Sequence, residues 1–139
     1  MKTRLLVIVC LISAIVLSAC GAQATPVYLE EGADRDAITA KTDFTIKDLI
    51  TGIENKDYDT FSKHFSDVML NSIKTANMDQ IYATFDPLGK SESVELVNVQ
   101  DVGEYYAVRY KVTYSSKDVT FRIVVDKTDP GVQSGLWFE

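Results

Sequence analysis

Tyr105-Tyr106-Ala107-Val108-Arg109-Tyr110-Lys111-Val112-Thr113-Tyr114, followed after a short polar break by Val119-Thr120-Phe121-Arg122-Ile123-Val124-Val125-Asp126, is the passage that decides the fold class. In the first run Tyr106, Val108, Tyr110, Val112 and Tyr114 alternate with Arg109, Lys111 and Thr113, so one face is apolar and the other wet. Val119, Phe121, Ile123 and Val125 repeat the pattern, and Ser115-Ser116-Lys117-Asp118 forms a hairpin loop between the runs. A period of two sustained through both predicts antiparallel strands with one face on a core. A less regular strand over residues 93–102 precedes them, with a turn at 101–104. A last strand over 132–138 follows the turn residues Thr128-Asp129-Pro130-Gly131.

Upstream the period lengthens. Ile46, Leu49, Ile50 and Ile53 recur at i, i+3, i+4, i+7, one apolar helical face, and predict a first helix over 34–55. Asp57 offers a capping carboxylate to a short second helix carrying Tyr58, Phe61 and Phe65, which ends near His64 or Phe65. Residues 66–75, with Val68, Met69, Leu70 and Ile73, are open between a helical turn and an extended piece. Asn77 is placed to cap a third helix bearing Met78, Ile81, Tyr82 and Phe85, stopped by Pro87 and Gly89. Three helices followed by a meander of four strands predict an α+β domain over 34–139, the helices packed on one face of an antiparallel sheet.

The chain has 139 residues, 46% hydrophobic and 24% charged, which is room for one domain. Lys2 and Arg4 begin it, an apolar run fills residues 5–17, and Leu17-Ser18-Ala19-Cys20-Gly21 follows. The run is shorter than the roughly 20 residues a bilayer span needs and fits the core of an export signal. Small residues before a cysteine, preceded by leucine, resemble the lipobox of bacterial lipoproteins. That resemblance implies removal of residues 1–19 and lipidation of Cys20 as the new N-terminus, leaving the chain on a membrane at the cell envelope. The alternative is an ordinary signal peptide cleaved after Ala19 that leaves Cys20 a free thiol. Cys10 leaves with the leader on either reading, so the mature chain holds one cysteine and no internal disulfide. Residues 20–33, with Pro26, Glu30 and Glu31, show no periodicity and read as anchor and flexible linker.

Twenty acidic against fourteen basic side chains give a net charge of −6. Without Lys2 and Arg4 the balance is 20 against 12, or −8. Such a surface repels phosphate backbones, and no basic stripe offsets it, which excludes nucleic acid as an expected partner.

The stretch Glu54-Asn55-Lys56-Asp57-Tyr58-Asp59-Thr60-Phe61-Ser62-Lys63-His64-Phe65-Ser66-Asp67 resembles the passage between the first two helices of nuclear transport factor 2-like proteins, the cystatin-like α+β fold. The order of helices and strands agrees with that family across most of the chain. The ending Gly135-Leu136-Trp137-Phe138 is similar to that of small envelope domains of this fold. The resemblance implies a cone in which a curved sheet wraps the helices and leaves a pocket at its wide end. Members include enzymes of ketosteroid isomerase type, small-ligand binders and assembly modules, so fold does not choose among activities.

Asn55, Asp57 and Asp59 alternate like the first ligands of a calcium loop, but Thr60 stands where that loop needs glycine and Ser66 where it needs a bidentate glutamate. Helix capping therefore explains them better. His64 is the single histidine, within reach of Asp67 for a proton relay or simply placed at a helix C-terminus. Proton transfer would need a carboxylate facing the pocket and a tyrosine donor. Dry strand positions carry no Asp, Glu or His, which leaves Asp67 or Asp86 with Tyr110 as the isomerase alternative. The expected pocket is lined by Phe85, Tyr106, Tyr110 and Phe121, tyrosines of such a stripe being either core or ligand contacts. Neither a metal nor a cofactor is indicated, since phosphate-cradling glycines, Cys-x-x-Cys pairs and histidine clusters are missing. The expected role is a non-catalytic module that presents its pocket or sheet to an envelope protein or a small apolar ligand, with a homodimer through the wet sheet face, burying Trp137, as a further possibility.

Overall fold

The computed structural model describes residues 25–139; the expected export signal and the expected lipidation site Cys20 lie outside the described residues. The chain forms β1 (Val27–Tyr28), α1 (Ala33–Asn55), α2 (Tyr58–Ser62), α3 (Asp67–Ser72), α4 (Met78–Phe85), β2 (Ser91–Val102), β3 (Tyr105–Tyr114), β4 (Asp118–Asp126) and β5 (Gln133–Phe138). The fold is α+β, with the strands in one antiparallel sheet of order β1-β2-β3-β4-β5.

The α+β class agrees with the sequence expectation, while the element count differs at two places. The stretch left open at 66–75 contains α3, whose N-cap Ser66 accepts from the Met69 amide at 3.4 Å, so the described residues form four α-helices where three were expected. Val27 and Tyr28 pair with Asp101 and Gln100, and the Leu29 amide donates to Val99 at 2.8 Å, so the sheet has a fifth strand. The expected flexible linker is corrected over those residues. A strand of two residues is too short to display alternation, and what holds it is pairing with the edge of β2.

Alternation on β3 and β4 sorts side chains as expected. Val108, Tyr110, Val112, Tyr114, Phe121, Ile123 and Val125 are all buried in one cluster with Ile46, Leu49, Ile50 and Ile53 from a stripe of α1. Asp57 caps α2 by accepting from the Asp59 and Thr60 amides. Asn77, by contrast, does not cap α4; its side chain accepts from the Lys74 amide at 3.0 Å and closes the turn before it. The α1 to α2 corner is tight: Lys56 adopts a left-handed conformation (φ 56°), and its amide returns to the Gly52 and Ile53 carbonyls. There a Cβ on Gly52 would lie 2.4 Å from the Phe61 amide nitrogen, so only hydrogen fits between the helices. At the opposite edge Gln133, fully buried, donates its amide to His64 and accepts from Ser66, fixing β5 to the segment between α2 and α3.

Candidate functional site

A cleft of about 180 Å³ opens where the C-terminal end of α1, the end of α4 and the last residue of β3 meet. Ile53, Phe85 and Tyr114 form its apolar walls, while Glu54, Asp86 and Lys90 edge it and Gly89 lets the chain pass close to Ser115. Gly89 has φ 81°, a conformation that favours glycine, and it makes the turn from α4 into β2.

Charges at the rim are paired. The Glu54 carboxylate accepts from the Ser91 amide at 2.7 Å and lies 3.3 Å from the Lys90 ammonium. Burial pushes its carboxyl up, but the Ser91 and Lys90 hydrogen bonds outweigh that and hold it below the usual range. Lys56 Nζ donates to Asp86 at 2.8 Å across the other lip. The Tyr114 hydroxyl is different: it is buried, it has no hydrogen-bond partner, and among the lining residues it alone is in that state. Burial, helped by the negative charge of Glu54, raises its pKa, so the phenol stays neutral and able to donate.

Of the four residues expected to line a pocket, only Phe85 lies on this cleft. Its ring sits 5.8 Å from Tyr114 and 5.6 Å from Phe121. Phe121 is fully buried core. Tyr110 is also core, its hydroxyl lying 2.6 Å from Thr42 Oγ1 and donating to Asp43 at 2.8 Å, so it is not free for a ligand. Tyr106 borders a separate open groove with Ile38, Lys127 and Pro130, at the other end of the sheet. The four are therefore not brought together: alternation identifies one face of a strand, whereas a cleft gathers residues from one end of several elements.

Of the acids weighed from sequence, Asp86 lies on the rim of the cleft and Asp67 does not. Asp67 is exposed at the start of α3, and Asp86, also exposed, is held by Lys56. His64 does not meet Asp67; its Nε2 lies 2.8 Å from Asp48 on α1, which also accepts from Lys63 at 2.9 Å. Glu54, the other carboxylate on the cleft, is not among the acids singled out from sequence, which lie on strands, at turns or at short helix ends. Its signal was its place one residue beyond Ile53, the last apolar position of the α1 stripe. Among the described residues no cluster of His, Cys, Asp and Glu is arranged to hold a metal, and no helix is long and apolar enough to cross a membrane.

The sequence model of the family DUF3887, described as a protein of unknown function, matches residues 47–129 of the 139. Those residues run from α1 through β4 and include every residue that lines the cleft. Searches of curated proteins and of solved structures return no match.

Proposed function

We propose, for a chain that belongs to the DUF3887 family and takes no activity from that family's description, that it is an exported, lipid-anchored binding module. In this reading Cys20 carries the lipid, the domain has the cone-like nuclear transport factor 2-like architecture, and the cleft beside Tyr114 holds a small ligand without reacting with it.

One observation carries the non-catalytic part: each carboxylate near the cleft or its tyrosines already has a partner. A general base needs a pKa near the working pH. Glu54 is tied to Ser91 and Lys90 with its carboxyl held low, Asp86 is tied to Lys56, and Asp43 accepts from Tyr110. A neutral phenol set among apolar walls supports binding and orientation. Anchoring is supported by the basic start, the short apolar run and the small residues ahead of Cys20.

Native mass spectrometry of the protein from its own host tests the binding reading, with a co-purifying small molecule as the expected result. Turnover of any substrate that disappears in Asp86→Asn or Asp67→Asn would replace it with the isomerase alternative. Cys20→Ser tests the anchor: the variant is expected to leave the membrane fraction, and full retention there would overturn lipidation.

A further inference from the structure

We propose that the outer sheet face beside the β2–β3 turn is a lipid-contacting surface, on which the tethered domain rests Tyr28, Val102, Tyr105 and Val68 against the headgroup layer of the bilayer. The inference rests on the anchor proposed at Cys20 and adds the part of the domain that meets the membrane.

Side-chain direction comes first. Val102 pairs directly with Tyr105, and Tyr28 pairs with Gln100, two residues from Val102 on the same side of β2. Tyr105 alternates with Tyr106 and the buried Val108, so these three side chains lie on the face opposite the core. Tyr105 also shares a depression of about 260 Å³ with Val68 on α3 and Val124 on β4, and Ser66 and Ser134 complete its lining. The outer face therefore changes character along its length. Arg109 and Arg122 occupy its middle, and Val102, Tyr105, Ala107 and Val124 follow toward the turn.

These apolar groups are open. Val68 is 72% exposed, Tyr28 48%, Val102 40% and Tyr105 37%, whereas Val108 and Val125 on the inner face are fully buried. Exposed apolar side chains scattered singly are ordinary, but four gathered at one end of a sheet mark a contact surface.

The tether decides what covers them. Tyr28 stands eight positions after Cys20, at most about 28 Å of extended chain, so a lipid at Cys20 keeps this end of the sheet within reach of the bilayer. Tethering converts docking into an intramolecular step, and a contact too weak to hold a free protein is populated in an anchored one. Tyrosine suits the place, since its ring and hydroxyl fit the boundary between acyl chains and water. Charge supplies no other attraction to lipid. Glu104 in the turn and Asp126, paired with Tyr105, are carboxylates, and Lys127 is tied to Asp101 at 2.6 Å. Contact through this end thus depends on apolar burial rather than on anionic headgroups.

The test uses the full chain as its host lipidates it, reconstituted into phosphatidylcholine vesicles with brominated acyl chains. Attachment is read by flotation and contact by quenching of tryptophan fluorescence. Position 105, carrying Tyr105→Trp in a Trp137→Phe background, is expected to be quenched about twofold more than Trp137 of the unaltered chain, which lies four residues farther along the sheet at roughly 13 Å. High salt is expected to leave that quenching unchanged. Val68→Asp with Val102→Asp, both exposed positions, is expected to lower quenching at 105 to the Trp137 level while flotation and the thermal unfolding midpoint stay as they were. Equal quenching at the two positions in chains that float would overturn the lipid contact, leave the anchor standing and make a protein the occupant to seek. Quenching at 105 that high salt removes would overturn its apolar character. Chains that fail to float would overturn the anchor and this docking with it.

Discussion

Tyr110 and Tyr114 point to the same side of β3, yet their hydroxyls sit in opposite situations. Both rings are buried, and burial raises both pKa values, but Tyr110 is held by Thr42 and Asp43 whereas Tyr114 has no partner. Removing the Tyr110 hydroxyl strands two polar groups, so Tyr110→Phe is expected to lower unfolding free energy by about 1–3 kcal/mol. Removing the Tyr114 hydroxyl eliminates an unsatisfied donor, so Tyr114→Phe is expected to leave stability unchanged or raise it by about 1 kcal/mol. Urea unfolding of the two variants side by side measures the contrast. A comparable loss in both would mean that Tyr114 has a partner after all. Asp48 supplies a pH dependence. Burial pushes its carboxyl up, but Lys63 and His64 pull harder, and its pKa falls below the ordinary value. A carboxylate depressed on folding stabilises above its unfolded pKa, and that contribution is lost as pH falls through the folded value. Stability should therefore decline as pH drops below about 4, and Asp48→Asn should flatten that part of the curve while lowering stability at neutral pH.

Where helices meet, the close approach at Gly52 is the most demanding contact. Its missing Cβ makes room for the Phe61 backbone, which cannot swing aside as a side-chain tip could. Gly52→Ala is expected to cost about 3 kcal/mol by overpacking, read as a lower midpoint in thermal unfolding with the β-rich circular dichroism kept below it. The same corner shows what the sequence could disclose. Alternation over 105–114 and 119–126 and the helical stripe at Ile46, Leu49, Ile50 and Ile53 were legible because each persists over two or more periods of its own repeat. The strand at Val27 and the helix from Asp67 are each shorter than that, and tertiary pairing or a serine cap decides them. The cleft was legible at Phe85 and at the neighbouring acid Asp86. Periodicity tells which face of an element is dry, while Glu54, Lys90 and Tyr114 are neighbours because three elements end at one place.

Considered together, the elements give the molecule two dissimilar ends and a charged sheet face. On that face Arg109 and Arg122 sit directly across from each other, both 3.7 Å from Glu139, with Arg122 stacked 4.3 Å over Trp137. Pairing two such faces would crowd like-charged guanidinium groups together and desolvate them. A monomer at micromolar concentration, with Trp137 open to a fluorescence quencher, is the expected result of sedimentation and quenching. The two ends matter for the proposed anchor. Val27 stands seven positions after Cys20, at most about 25 Å of extended chain, and β1 is pinned beside Gln100 and Asp101 near the β2–β3 turn. The cleft lies beyond the other end of these strands, at Tyr114 and Lys90. From Gln100 back to Ser91 is nine residues along β2, or roughly 30 Å at strand spacing. If Cys20 is lipidated as proposed, the tether holds the β2–β3 turn nearest the lipid and presents the cleft toward the aqueous side, where a small solute arrives by diffusion. Fluorophores on Glu104→Cys, in that turn, and on Ser116→Cys, in the loop beside the cleft, measure this in vesicles carrying a headgroup quencher. Stronger quenching at position 104 is the expected outcome. Stronger quenching at 116 would place the cleft against the bilayer and make the membrane itself the source of its ligand.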